Sequence, residues 1–358
     1  MAILLKYLYN DDYISALLNS LEYPLLKHEE FKKSIFDKNW EDRELKQRMR
    51  HISLTLGLFL PTNYVDAIKI LKKSFLQLNH AYRLENMIFQ DFVEVYGLEN
   101  FKVSMDAIEF FTIDSSSEFA IRKFILKYPD ATMAQMLIWA KSDNLHVRRL
   151  ASEGCRPRLP WAISLPIFKK EPSKVLEILE LLKDDKSEYV RKSVANNIND
   201  ISKDNKNIVK KLASLWIGKN SNRDAMVKHG CRTLLKSSDK EVLSLFGFNS
   251  PDAIILSEFN LNKEVVMGEK LAFSFNLNSK KELGKLRIEY IIEFIRKNKK
   301  YNAKVFKISE GVFQQKKKNI LRQHSFKPIS TRVYYKGLHK LSIIINGKNL
   351  IKKEFFLI

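Results

Sequence analysis

His146-Val147-Arg148-Arg149-Leu150-Ala151 returns 43 residues later as Tyr189-Val190-Arg191-Lys192-Ser193-Val194. Each copy follows an acidic turn, Asp143 before the first and Asp184-Asp185 before the second. Fainter echoes are Ala120-Ile121-Arg122-Lys123-Phe124 and Asp224-Ala225-Met226-Val227-Lys228. A repeat of roughly 40 residues is one helix pair per unit. Each pair leaves an apolar face uncovered, so neighbours must stack to bury it. The stack curves, and its inner face is an extended groove. Basic walls would suit that groove to a duplex.

An Asp-bearing turn, then Val-Arg, then a small residue is the HEAT-repeat pattern. In such repeats the arginine bonds the turn aspartate of a neighbouring unit, so Arg148 and Arg191 are expected to be structural. Arg149 and Lys192 point about 100° further round the helix and are the expected phosphate ligands.

Working outward, the chain is helical in pattern up to residue 248. Leu45, Met49, Ile52, Leu56 and Phe59 form one apolar stripe at spacings of three and four, and Pro61 stops it. Similar stripes cover Tyr64–Leu78, Met133–Lys141, Val175–Leu182 and Ile208–Trp216. After Ser250-Pro251 the period becomes two. Ile254–Asn262, Lys270–Asn278, Lys285–Arg296, Ala303–Ser309, Leu321–Ser330, His339–Asn346 and Leu350–Ile358 read as seven strands separated by turn residues. The expected fold is multidomain, α then β. A HEAT-like helical solenoid spans 1–248, and an immunoglobulin-like β-sandwich without cysteine spans 251–358.

The 358 residues hold 62 Lys+Arg against 41 Asp+Glu, a formal charge of +21. Hydrophobic residues at 45% and aromatics at 11% exclude general disorder. No apolar run approaches the roughly 20 residues of a membrane span, and Met1–Asn10 has no signal-peptide layout. A cytoplasmic, nucleoid-associated bacterial protein is expected. Cys155 and Cys231 are too few for a disulfide framework or an all-cysteine zinc site. Residues 251–358 carry 23 Lys+Arg and 9 Asp+Glu, net +14. The smaller domain is therefore the more basic one, and Lys316-Lys317-Lys318 reads as a loop between two of its strands, a candidate DNA contact.

Leu150-Ala151-Ser152-Glu153-Gly154-Cys155-Arg156-Pro157-Arg158-Leu159-Pro160-Trp161 resembles the AlkC family of DNA alkylation repair glycosylases. So do Ser117–Arg122, Lys183–Asp204 and Glu44–Ile52. The likeness covers about residues 1–245, and the Glu153–Trp161 run is its most specific part. Some family members carry a C-terminal immunoglobulin-like domain. The resemblance implies a monofunctional DNA glycosylase of base excision repair, which hydrolyses the bond from deoxyribose to cationic alkylated bases such as 3-methyladenine or 3-methylcytosine in duplex DNA. It implies a catalytic set of Glu118, Glu153, Trp161 and Asp200.

Those residue types fit the chemistry. A cationic base leaves as a neutral molecule and needs little acid assistance. The sugar gains oxocarbenium character, which nearby carboxylates can stabilise while orienting water. An indole face suits a cationic base or sugar. Glu153 lies six residues after Val147 and Asp200 ten after Val190, offsets one helical turn apart, so both fall on similar faces of equivalent helices. Glu118 follows Ser115-Ser116-Ser117, a cap signal that places it in a first helical turn. By residue type alone, Trp161 after Pro160 reads as a core or loop anchor.

Arg149, Arg156 and Arg158 cluster around Glu153 and, with Lys192, are the expected DNA contacts of the helical half. Cys155 and Cys231 read as buried small hydrophobes. His51, His146 and His229 lack metal-ligand spacing, so no metal is expected. No glycine-rich phosphate loop occurs, so no nucleotide cofactor is expected. No lysine stands out for Schiff-base chemistry, so no lyase step is expected. A monomer acting on double-stranded DNA is the expected state. The competing reading is a non-catalytic HEAT scaffold that binds nucleic acid or protein. A nuclease would want a carboxylate cluster for a metal.

Overall fold

The computed structural model describes residues 4–78, 82–329 and 332–358. Its first part is helical. The stripe from Leu45 forms the helix Leu45–Phe59, opened by a Glu44/Gln47 capping box, with Met49, Ile52 and Leu56 buried. Asn63 caps Tyr64–Gln77 through hydrogen bonds from Val65 and Asp66. The other predicted stripes appear as Pro129–Trp139, Ser173–Leu182 and Lys206–Trp216. The two clear repeats are the helices Leu145–Gly154 and Glu188–Ile201. They pack on each other, and Glu188–Ile201 packs in turn on Ser221–Gly230.

The repeat arginines are structural as expected. Arg148 donates to both carboxylate oxygens of Asp185 in the next repeat's turn, at 2.6 and 3.1 Å. It also donates to the carbonyls of Ser142 and Asp143. Arg191 donates to the carbonyls of Asp185 and Lys186. Each repeat thus ties its turn to its helix, and Arg148 ties one repeat to the next.

The second part is a β-sandwich. Its strands are β1 Ile255–Leu261, β2 Glu264–Val265, β3 Lys270–Asn278, β4 Gly284–Ile295, β5 Tyr301–Phe313, β6 Lys317–Ser325, β7 Gly337–Ile345 and β8 Lys348–Leu357. One sheet runs β1-β3-β6 and the other β2-β8-β7-β4-β5. Leu271, Phe273, Phe275, Ile288, Tyr290, Ile292, Leu341, Ile343 and Phe355 belong to the core between them. β2 is the strand that periodicity missed. Two residues cannot show alternation, and its parallel pairing with β8 joins segments distant in sequence. β6 ends at Ser325, short of the expected Ser330, which lies outside the described residues.

Two expectations need correction. Lys317 and Lys318 are the first residues of β6, paired with Asn278 and Leu277, and only Lys316 precedes the strand. Lys318 covers the Phe313 ring at 4.5 Å. The charge run looked like a loop because lysine has low strand propensity, but ladder pairing to β3 overrides it. The second concerns compactness. The chain divides into Met1–Val209 with Trp216–Gly230, and Lys210–Leu215 with Cys231–Ile358. The helices Arg232–Lys236 and Lys240–Leu245 thus belong with the β-sandwich, although the change of periodicity falls at Ser250-Pro251. In that unit Asn346 Nδ2 donates to the Asn249 carbonyl, and a Cβ on Gly347 would stand 2.5 Å from Leu243.

Candidate active site

The helix Leu145–Gly154 starts on an Asn144 cap that accepts from the His146 amide. Val147, Leu150 and Ala151 face the core. Gly154 closes it because there is no room for a side chain. A Cβ there would lie 2.6 Å from Ile121 and 2.8 Å from Met136. On the helix Glu188–Ile201, Val190, Val194, Ile198 and Ile201 are buried in the core, while Ser193, Asn197 and Asp200 recur at spacings of four and three.

These two surfaces meet in one polar network. Arg156 Nη1 donates to Glu153 Oε1 at 2.5 Å, and its Nε donates to Asp200 Oδ2 at 2.9 Å. Ser193 Oγ donates to Glu153 Oε2 at 2.7 Å, and Ser152 Oγ donates to Ser193 Oγ at 2.7 Å. Lys203 reaches the second Asp200 oxygen at 2.9 Å. Asn197 Nδ2 donates to the Ser152 carbonyl. Glu153 and Asp200 are both buried, 5% and 1% exposed. The two carboxylates that the repeat offset placed on similar faces thus meet on one arginine.

Glu118 joins from a third repeat through Arg149. Arg149 Nη1 donates to Glu118 Oε2 at 2.7 Å and to Ser116 Oγ at 2.8 Å. The same guanidinium lies 3.7 Å from Glu153 and over the Tyr189 ring at 5.2 Å. Glu118 is not in a first helical turn. It sits in the turn before the helix Ile121–Lys127. Ser117 is buried and its hydroxyl donates backward to the Ile108 carbonyl, so it does not cap forward.

The loop after Gly154 hangs on Arg122, a side chain with no exposed surface. Its Nε donates to the Ile163 carbonyl at 2.6 Å, and its Nη1 to the Gly154 and Arg156 carbonyls at 2.9 and 2.8 Å. Burial pushes this guanidinium down to about 10. Trp161 rides on the loop with φ +62°, a left-handed conformation that a bulky residue adopts only when its surroundings impose it. Lys46 donates to the Trp161 carbonyl at 2.8 Å. Trp161 is 69% exposed, so of the core-or-loop-anchor reading by residue type the core half is corrected and the loop position stands.

The expected DNA-binding cations are less free than their sequence positions imply. Arg156 is buried between Glu153 and Asp200, and Arg149 is half-buried between Glu118 and the same Glu153, which corrects the expectation of open phosphate ligands at both. Arg158 is exposed and paired with Asp204 at 2.7 Å. Lys192 is exposed and paired with Glu188 at 2.9 Å. Cys155 is fully buried, and burial pushes its thiol up to about 12, so it is not a nucleophile. Among the described residues no group of three metal-ligating side chains gathers, and no helix is long and apolar enough to cross a membrane. Arg122, Lys46, Ser193 and Asn197 were not singled out as site residues. All lie within the family-like stretches, yet nothing local marks which of them reaches across repeats.

The comparisons agree with this fold. A family model described as DNA alkylation repair enzyme matches residues 101–232, and one described as Uncharacterised protein YhaZ, C-terminal Ig-like domain, matches 256–358. The uncharacterized protein YhaZ of Bacillus subtilis (strain 168) is 44% identical over 348 residues, 96% of each chain. The alkylpurine DNA glycosylase AlkC of Pseudomonas fluorescens, solved bound to DNA containing an abasic site analogue, is 32% identical. It matches with a TM-score of 0.95 over 99% of this chain and 100% of that one. Fold and site together define a helical-repeat DNA repair enzyme with a C-terminal immunoglobulin-like domain. The chain belongs to the AlkC family.

Proposed function

We propose that the chain is a monofunctional glycosylase of base excision repair that hydrolyses the N-glycosidic bond of cationic alkylated bases in duplex DNA, 3-methyladenine and 3-methylcytosine among them. One observation carries this reading. Three carboxylates from separate repeats, Glu118, Glu153 and Asp200, converge on Arg149 and Arg156 beside the loop that presents Trp161. A face that only bound DNA would gain nothing from gathering acids.

The reaction follows from charge. As the glycosidic bond breaks, its electron pair leaves with the base, which becomes neutral, and positive charge moves onto the sugar. Asp200 and Glu153 stabilise that charge and orient a water, whose oxygen bonds to the sugar carbon and whose proton passes to a carboxylate. The exposed indole of Trp161 offers its face to the cation. Arg158, Lys192, Lys316 and Lys317 contact phosphates. Exposed ion pairs such as Arg158–Asp204 are worth about 1 kcal/mol or less, so a phosphate displaces the carboxylate at little cost. The β-sandwich, net +14, helps grip the duplex. The enzyme acts as a monomer in the bacterial cytoplasm, on the nucleoid.

The scaffold reading also has an observation behind it, since every site carboxylate already has an arginine partner, as in a purely structural network. Incubation of the full chain with methylated duplex DNA and EDTA separates the readings. Release of free methylated bases is the expected result. Tight binding without release would establish the scaffold, and strand cleavage that appears only in a parallel reaction with Mg²⁺ in place of EDTA would establish a nuclease.

A further inference from the structure

The β-sandwich is basic at both ends, and the two ends differ in kind. Lys316 and Lys317 lie on an open edge at the start of β6. The other end is about 40 Å away, taking the 13 residues of β5 at strand rise. There the β4–β5 turn and the segment before β7 flank an open-sided cavity of about 450 Å³. Arg296, Lys297, Lys304 and Arg332 line it with Asn298 and Asn302, and no acidic residue is among the lining residues.

These cations are unbalanced. The ion pairs of this domain join Arg287 to Glu289 and Glu310, Lys340 to Glu354, Lys348 to Asp252 and Lys352 to Glu293. None among the described residues reaches the four cations of the cavity. Arg332 is the most telling. Its guanidinium is half-buried and packs over the rings of Phe294 at 5.0 Å and Tyr334 at 5.6 Å. Its Nε is buried with no hydrogen-bond partner. Its Nη1 donates to the Tyr334 hydroxyl at 3.4 Å, and the aromatic faces orient the guanidinium without satisfying Nε.

The frame is built rather than loose. The Arg296 amide donates to the Lys300 carbonyl, and the Lys299 amide to the Arg296 carbonyl, both at 2.9 Å. The Arg332 amide donates to the Ile329 carbonyl at 3.2 Å. Like charges held together without counter-ions repel, and a bound oxyanion reverses the sign of that interaction.

We infer that this cavity is a phosphate-binding site, with Arg332 as its oriented donor and Arg296, Lys297 and Lys304 as its charge. The phosphate comes from a DNA backbone or from a free small phosphate compound. The DNA source rests on the reading that the β-sandwich grips the duplex, and the free source does not. The test uses the full chain with inorganic pyrophosphate in calorimetry and an undamaged duplex in anisotropy over a salt series. The variants are Arg332→Met and the double Lys297→Ala/Lys304→Ala, the latter at two exposed positions that leave the fold intact.

One pyrophosphate per chain is expected, weakened by about tenfold or more in each variant, the scale of a lost charge-assisted hydrogen bond. If DNA is the source, the variants also flatten the dependence of log affinity on log salt by about 0.9 per lost contact. Lost pyrophosphate binding with an unchanged duplex slope assigns the site to a free phosphate compound. The inference fails if pyrophosphate binding is absent or indifferent to both variants and the duplex slope is unchanged. Base release from methylated DNA by the same variants reports on the glycosylase reading separately.

Discussion

Arg156 donates through Nε to Asp200 at 2.9 Å, joining residues that stand 44 apart in the chain. Through Nη1 it holds Glu153 at 2.5 Å, so one guanidinium spaces the two buried carboxylates of the site. The arrangement makes the acids cheap to bury and sets where each oxygen points.

Asp200→Asn should lower base release by at least roughly 100-fold, the scale of one positioned catalytic group. Duplex affinity should hold or rise, because a negative charge leaves the site. Single-turnover release at saturating enzyme, beside anisotropy binding, checks both. Normal release would remove Asp200 from the mechanism.

Arg156→Met should act on stability before it acts on DNA. It leaves Glu153 and Asp200, both under a tenth exposed, without their shared partner. Breaking a buried ion pair by removing one member costs about 3–5 kcal/mol. Urea unfolding should show that loss, whereas the salt dependence of duplex binding should not change. A flattened slope with intact stability would make Arg156 a phosphate ligand instead.

Arg122→Lys should loosen the loop that carries Trp161 while keeping the charge. Lysine offers one ammonium where the guanidinium serves three carbonyls in a fixed fork. The other tryptophans, Trp40, Trp139 and Trp216, are buried, so acrylamide quenching reports on Trp161. Quenching should rise and single-turnover release fall by roughly tenfold or more, the cost of small misplacements in a site, with duplex affinity nearly unchanged. Unaltered quenching and release would leave Arg122 a packing residue only.

The β-sandwich should lose stability in mild acid. His324 is buried beside Tyr290, with Arg332 and Arg322 nearby, and burial holds its imidazole down to about 4 against an ordinary 6.5. Between those values the unfolded chain takes up a proton that the folded chain refuses. Stability is therefore full above about pH 6.5 and falls as pH drops toward 4, by up to about 3 kcal/mol from this group. His339 is shifted the same way by burial. Urea midpoints from pH 7.5 to 4.5 should fall less steeply in His324→Leu than in the parent. Equal slopes would show that other groups govern the acid response.

The helices, the change to strands and the structural arginines were legible in the sequence because each rests on a local period or turn. The stripe from Leu45 to Phe59 needs only 3.6 residues per turn, and Arg148 needs only a repeat to supply Asp185. Repeat register also brought Glu153 and Asp200 together, since stacked units turn a sequence offset into a spatial one. Other features had no local signature. Lys317 and Lys318 entered a strand through pairing with β3, and β2 exists only against β8. Trp161 is exposed in a left-handed conformation on a loop held by Arg122 from the preceding repeat and by Lys46, 115 residues away. Arg149 and Arg156 read as open cations until folding surrounded them with carboxylates. Periodicity tells which face of an element is buried. It is silent on which distant side chain meets that face, and burial, pairing and backbone strain at this site all depend on that meeting.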